Sequence, residues 1–302
     1  MTPQKGRAVH VKALPGVFEG VRWGRLVCGV LITTVLGLSV HAVMLQVLHV
    51  PYPSAALDSK LPEVLNGAVM IWAAIWLYNG LRTWRGDRAA WVRVVMLYVV
   101  LAGLNGTLRG AFMNGYCSTQ APVRWLIALL LTSHYLIYYA VVAGFAAGMS
   151  RLRSHSARLA AVSAGALLAA FFLTPALAKL DAAIGARVAH WITPGGWCAL
   201  PYGMDVLLPA YATFLEPVLA CLVCVALIWR CLPARPVGRI AAFVVLILAL
   251  KRQLLMPFLY AAFAPGPAVT ALASMGQFSL EAVALAGLTM LSWQWSRPAI
   301  GR

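Results

Sequence analysis

The sequence predicts an all-α fold, a polytopic bundle of about eight membrane-spanning helices. Three observations carry that prediction. The 302 residues are 62% hydrophobic and only 11% charged, whereas a soluble domain is about 25% charged. The apolar residues gather in runs matching the ~20 residues of helix that cross a hydrocarbon core of about 30 Å. Lys and Arg fall in short clusters between alternate runs, as membrane orientation signals do.

Eight runs meet the length requirement, at 26–48, 62–81, 91–111, 123–148, 159–177, 203–229, 240–262 and 269–293. They are expected to form one integral-membrane domain over 1–302, led by a basic arm at 1–25. The first run is longer than the ~7–15 residues of a signal core and no small-residue cleavage site follows it, so it reads as a retained anchor. The arm carries Lys5, Arg7, Lys12, Arg22 and Arg25; the loop after run 2 carries Arg82, Arg85 and Arg88, with Arg93 just inside run 3. Arg151, Arg153 and Arg158 follow run 4, Arg230, Arg235 and Arg239 follow run 6, and Arg297 and Arg302 end the chain. The other side has Lys60, Arg124, Lys179 and Arg187. This bias puts both termini in the cytoplasm and fits a bacterial inner membrane.

Several function classes drop out. The net charge of +16 forms no basic stripe with interleaved aromatics, so no nucleic-acid partner is expected. No phosphate-cradling GxxxxGK[ST] loop occurs. The loops leave no room for an attached soluble catalytic module, and the two halves show no repeat of the kind that inverted-repeat transporters carry.

The outer side holds one cysteine in each of two loops, Cys117 in "NGYCSTQAP" and Cys198 in "TPGGWCALPYG". In an oxidising compartment a bond between them would tie the connection after run 3 to that after run 5. Leu180, Ile184, Val188 and Trp191 make one apolar helical face. They predict a short interfacial helix near 179–191, stopped by Pro194 and Gly195. Cys221 and Cys224 form a CxxC on an apolar run and read as packing residues.

The anomaly is "LILALKRQLLMPF", where Lys251 and Arg252 interrupt run 7. About eleven residues precede Lys251 in its run, or roughly 16 Å of helix, so it is expected near the midplane of a continuous span. Glu216 in run 6 and Glu281 in run 8 lie at similar depth, as does His134 in run 4, with Asn105 and Arg109 nearer the outer side of run 3. Each central charge costs about 2.5–3.5 kcal/mol to insert, so the two acids are expected to face the two cations across the bundle. Ser274, Gln277 and Glu281 form one polar stripe on run 8.

These residues predict a polar cavity whose substrate-binding set is Arg109, Asn105, His134, Glu216, Lys251, Arg252, Gln277 and Glu281. Its cations suit an anionic or lipid-linked substrate. Transport or flipping of a small anionic or amphipathic molecule is the first functional expectation. A membrane-embedded enzyme acting on a lipid-linked substrate at the outer leaflet is the second, with His134 or a glutamate as base, although no HExxH or GxSxG motif supports it. A non-catalytic assembly or immunity partner is the third; its charges would form a closed network that fixes helix packing. No metal or other cofactor is expected: haem would need His41 or His49 to face His134, and nothing in the sequence places those runs together.

Overall fold

A computed structural model describes residues 18–54, 57, 59–85, 90–118, 123–192, 198 and 200–298. The arm cations Lys5, Arg7 and Lys12, the loop cation Arg88, the helix stop at Pro194 and Gly195, and Arg302 lie outside the described residues. The described residues are helical, with no strand. In chain order the helices are α1 (Trp23–Gln46), α2 (Leu61–Arg85), α3 (Ala90–Leu104), α4 (Thr107–Ser118), α5 (Arg124–Met149) and α6 (His155–Leu168). They continue as α7 (Thr174–Val188), α8 (Met204–Thr213), α9 (Leu215–Ile228), α10 (Pro236–Leu250), α11 (Met256–Phe263) and α12 (Ala268–Ser296).

Six helical stretches are long and apolar enough to cross a membrane: Trp23–Gln46, Leu61–Leu81, Arg124–Met149, His155–Trp191, Met204–Cys231 and Ala268–Ser296. Run 3 is a pair, α3 and α4, bent by 43°. Run 7 differs from the continuous span that its hydropathy predicts. Its helix stops at Leu250, Lys251 caps it with ψ near 2°, and helix resumes only at Met256.

The expected interfacial helix at 179–191 is also not separate. A π-helical turn at Ala169–Leu173 joins α6 to α7, and a short 3-10 turn at Ala189–Trp191 ends a single 37-residue stretch. At 1.5 Å per residue that stretch is about 55 Å long, well beyond a hydrocarbon core. Pro175 accounts for the π turn: it has no N–H to give to the preceding turn, and the ladder widens there so that Thr174 bonds Ala169 instead.

α9 is the centre of the bundle. Ten of its fourteen residues are buried, against α3, α12, α1 and α2. α1 and α12 run side by side, and the Arg22 N–H donates to the Ser296 carbonyl at 2.8 Å. That bond sets the start of α1 and the finish of α12 at one end of the bundle, called the terminal end below. The Trp229–Cys231 turn and the start of α10 share it, since Arg239 and Arg297 both stack on Trp229. α3 starts there too: Arg93 lies over Tyr78, and Gly80 of the same α2 turn packs on Ile228.

Candidate functional site

Three helices rise from the terminal end and stop at one level. α3 and α10 have 15 residues each and α9 has 14, so each covers about 21–23 Å. Where they stop, the backbone breaks: at Asn105–Gly106 between α3 and α4, at Phe214 between α8 and α9, and at 251–255 between α10 and α11. Gly106 has φ +61° and Arg252 has φ +59°. The left-handed conformation is natural for glycine but costs an arginine about 1–3 kcal/mol, so the surroundings hold it there.

A broken helix at membrane depth exposes carbonyls and N–H groups that lipid cannot satisfy. Here the breaks cap one another. The Lys251 ammonium donates to the Leu104 carbonyl at 2.8 Å, closing the C-terminus of α3. The Asn105 amide donates to the Leu250 carbonyl at 3.3 Å, closing the C-terminus of α10, and to Leu101 O at 2.8 Å. The Glu216 carboxylate accepts from the Leu108 N–H at 3.1 Å and from the Arg109 N–H, closing the N-terminus of α4. A carboxylate at a helix N-terminus also meets the positive end of the helix dipole.

This changes the partners that the sequence suggests. Glu281, buried on α12, is 3.9 Å from Lys251. Glu216 answers backbone N–H groups rather than a cationic side chain. Arg252 faces no acid at ion-pair distance among the described residues; its guanidinium lies 5.8 Å above the Tyr138 ring. Ser274, Gln277 and Glu281 are all buried, so the α12 stripe points inward. The Gln277 amide donates to Ser274 O at 2.7 Å and Pro51 O at 3.4 Å.

Between the break level and the opposite end lies a cavity of about 830 Å³. α4 supplies Thr107, Arg109, Met113 and Asn114; α1 supplies Leu38, His41, Leu45 and Gln46; α5 supplies Thr132, Tyr135 and Tyr139; α8 supplies Val206, Leu207 and Ala210. Asn105 and Gln253, on the breaks themselves, form part of its wall. Cys117 and Cys198 also line it and are bonded to each other, with Cα atoms 5.6 Å apart.

None of the described lining residues is Asp or Glu. Arg109 is the lining cation. Its guanidinium lies 5.1 Å over the Phe214 ring, and its Nε is buried with no hydrogen-bond partner. His41 packs against Phe278 at 4.9 Å and Tyr52 at 6.3 Å, and its Nδ1 is likewise buried without a partner. Burial, with Tyr202 beside it, raises the Tyr52 phenol above its ordinary value, so Tyr52 is a neutral donor.

Of the eight residues expected at the site, Arg109 and Asn105 line the cavity, while Lys251, Glu216 and Glu281 gather at the break level beneath it. His134 does not line it; its Nδ1 lies 3.3 Å from Asp181 of α7. Arg252 and Gln277 are not lining residues either. His41, Tyr52, Asn114 and Gln253 line the cavity without having been expected there. The sequence marks the breaks with the Asn-Gly pair at 105–106, a turn signal within an apolar run, and with Pro217 and Pro257 just after the other two. Among the described residues no group of three His, Cys, Asp or Glu side chains could hold a metal ion. Comparison with protein-family models, curated proteins and solved structures gave no match for the chain.

Proposed function

We propose that this membrane protein transports or flips a small anionic, amphipathic substrate, which enters the cavity and is recognised by Arg109. The observation that carries the proposal is a cavity of about 830 Å³ with an unpartnered, buried Arg109 Nε and no carboxylate among its described lining residues. A half-buried cation on a wall that carries no carboxylate among its described residues favours an anion. The volume is that of sites for organic molecules, about 300–1,000 Å³, and far exceeds an inorganic anion. Leu38, Leu45, Met113 and Val206 offer apolar wall for the rest of such a molecule. Discontinuous helices meeting beneath a site are a recurrent transporter device. In this reading the basic terminal end faces the cytoplasm and the disulfide faces the oxidising side.

The enzyme reading is weaker: His134 lies 3.3 Å from Asp181 and does not line the cavity, and Glu216, a glutamate that could serve as base, is held by the Leu108 and Arg109 N–H groups. A closed scaffold explains Lys251, Glu216 and Glu281 but not the open volume above them.

The test uses the purified chain with dodecyl phosphate as anionic probe and dodecanol as its neutral counterpart. Dodecyl phosphate is expected to raise the melting temperature of the wild type, and dodecanol much less. Arg109→Gln, which keeps the backbone N–H held by Glu216, should fold and lose the response. Proteoliposomes should then accelerate alkyl phosphate movement between leaflets, and Arg109→Gln vesicles should not. Equal responses of wild type and Arg109→Gln to both probes would remove Arg109 as the anion site, and leaflet exchange no faster than in protein-free vesicles would remove transport.

A further inference from the structure

The terminal end carries a second assembly of charge, remote from the cavity. Trp23 opens α1, Trp229 sits in the turn after α9, and Trp293 and Trp295 close α12. Trp23 and Trp295 are exposed. Indoles collect where hydrocarbon gives way to headgroups, because the ring is apolar and the N–H is not.

Arginines are stacked on these indoles. The Arg239 guanidinium lies 4.3 Å from the Trp229 ring centroid. Arg297 lies 5.7 Å from the same ring and 5.4 Å from Trp293. Arg25 lies 5.6 Å from Trp295. Arg239 is also fixed from behind, with Nε donating to Pro233 O at 2.8 Å and Nη2 to Ala234 O at 3.4 Å. A guanidinium has five N–H donors, so part of the Arg239 fork is left for an outside acceptor.

The ion pairs Lys60–Glu63, His134–Asp181 and Lys251–Glu281 lie elsewhere in the protein. Burial, followed by the charges of Arg230 and Arg239, pushes the Arg297 guanidinium below its ordinary value. Like charges are thus held together by indole stacking and backbone carbonyls.

We propose that Arg239 and Arg297, seated on Trp229, bind the phosphodiester headgroup of an anionic phospholipid. A planar guanidinium fork matches two phosphate oxygens at once, where an ammonium would act only as a point charge. The phosphate must sit at indole depth, as a lipid headgroup does and a dissolved anion need not. The assignment is independent of what the cavity carries.

The experiment places the full-length protein in phosphatidylcholine nanodiscs with increasing phosphatidylglycerol. Melting temperature and retained lipid, the latter by native mass spectrometry, are the readouts. Phosphatidylglycerol is expected to stabilise the wild type and to remain bound. Each of Arg239→Gln and Arg297→Gln should weaken its apparent affinity about fivefold, from the usual contribution of one arginine near an anionic membrane surface. Arg239→Lys keeps the charge and serves if the Gln variant does not fold; losing the fork, it should still weaken binding. Arg153→Gln, an exposed cation between α5 and α6, should change nothing. Equal losses in Arg153→Gln and the cluster variants would mean diffuse surface attraction and overturn the proposal, as would full retention in Arg239→Lys. Inorganic phosphate added to pure phosphatidylcholine discs forms the other arm: the same stabilisation by free phosphate would reassign the site to a soluble anion.

Discussion

Lys251 has two partners, and they are not equal. Its ammonium is 2.8 Å from the Leu104 carbonyl but 3.9 Å from the Glu281 carboxylate. The short contact closes a helix end that no solvent reaches; the longer one offsets charge. Removing the lysine strands both, and breaking a buried ion pair alone typically costs about 3–5 kcal/mol. Removing the glutamate charge leaves the helix cap intact. Lys251→Met is therefore expected to lower stability by about 3–5 kcal/mol, and Glu281→Gln by distinctly less. The double variant should recover only the charge imbalance and remain clearly below wild type, because Leu104 still lacks its donor. Thermal unfolding of the four proteins in one detergent checks this. If the double variant matched wild type, the ion pair alone would account for Lys251 and the cap would be dispensable.

At the scale of elements, prolines and close helix contacts decide where the bundle bends and where it cannot give. Pro209 leaves the Asp205 carbonyl without its helical donor, and the Tyr116 hydroxyl of α4 donates to it at 3.0 Å. The Gln253 carbonyl, on the break ahead of α11 and outside any helix, accepts from Ser279 of α12 at 2.8 Å. Each such carbonyl thus becomes a link between helices. The α1–α12 contact is the opposite case. A Cβ on Gly29 would lie 2.5 Å from the Ser292 side chain and 3.2 Å from its Cα, so only glycine permits this approach. Gly29→Val should force the pair apart and destabilise by about 1–3 kcal/mol, as overpacking does. Unfolding midpoints for Gly29→Val and for Gly24→Val, where nothing lies within 4 Å, make the comparison; equal midpoints would refute tight packing there. The long apolar helices were legible because lipid would impose length and apolarity on any crossing segment, and α1, α2 and α12, each long and apolar enough to cross a membrane, fall on runs 1, 2 and 8. The break in run 7 was not, because "LILALKRQLLMPF" has no glycine and its proline follows the break. Lys251 and Glu216 stood out as costly charges, but their partners are backbone groups of α3 and α4, and those become available only once a helix has ended. Sequence chemistry supplies side-chain partners for a buried charge; it does not show a freed carbonyl.

For the molecule as a whole, the break level divides a more deeply buried part from a more exposed one. On the terminal side α9 buries ten of its fourteen residues and α3 seven of its fifteen; on the other side α8 buries Val206 alone, and α11 only Pro257 and Tyr260. Few buried residues and ends that meet at backbone breaks mean lower local opening free energies, so α4, α8 and α11 should open before the core. The Cys117–Cys198 bond spans 81 residues and joins α4 to the segment leading into α8. Loop-closure entropy for that length gives about 4.5 kcal/mol in a free chain. The closed loop contains α5 and the long α6–α7 stretch, and helices that stay inserted keep the open state compact. The gain in a bilayer is therefore expected to fall below that figure. Its effect should also be local. Replacing both cysteines by serine should speed amide hydrogen exchange in α4 and α8 while leaving the slowest amides of α9 and α3 unchanged. It should also weaken dodecyl phosphate binding, because Arg109 sits on the helix that is released. Acceleration spread evenly over α3, α9 and α10 would show instead that the disulfide supports the entire bundle, and that the break level is no boundary between two zones of stability.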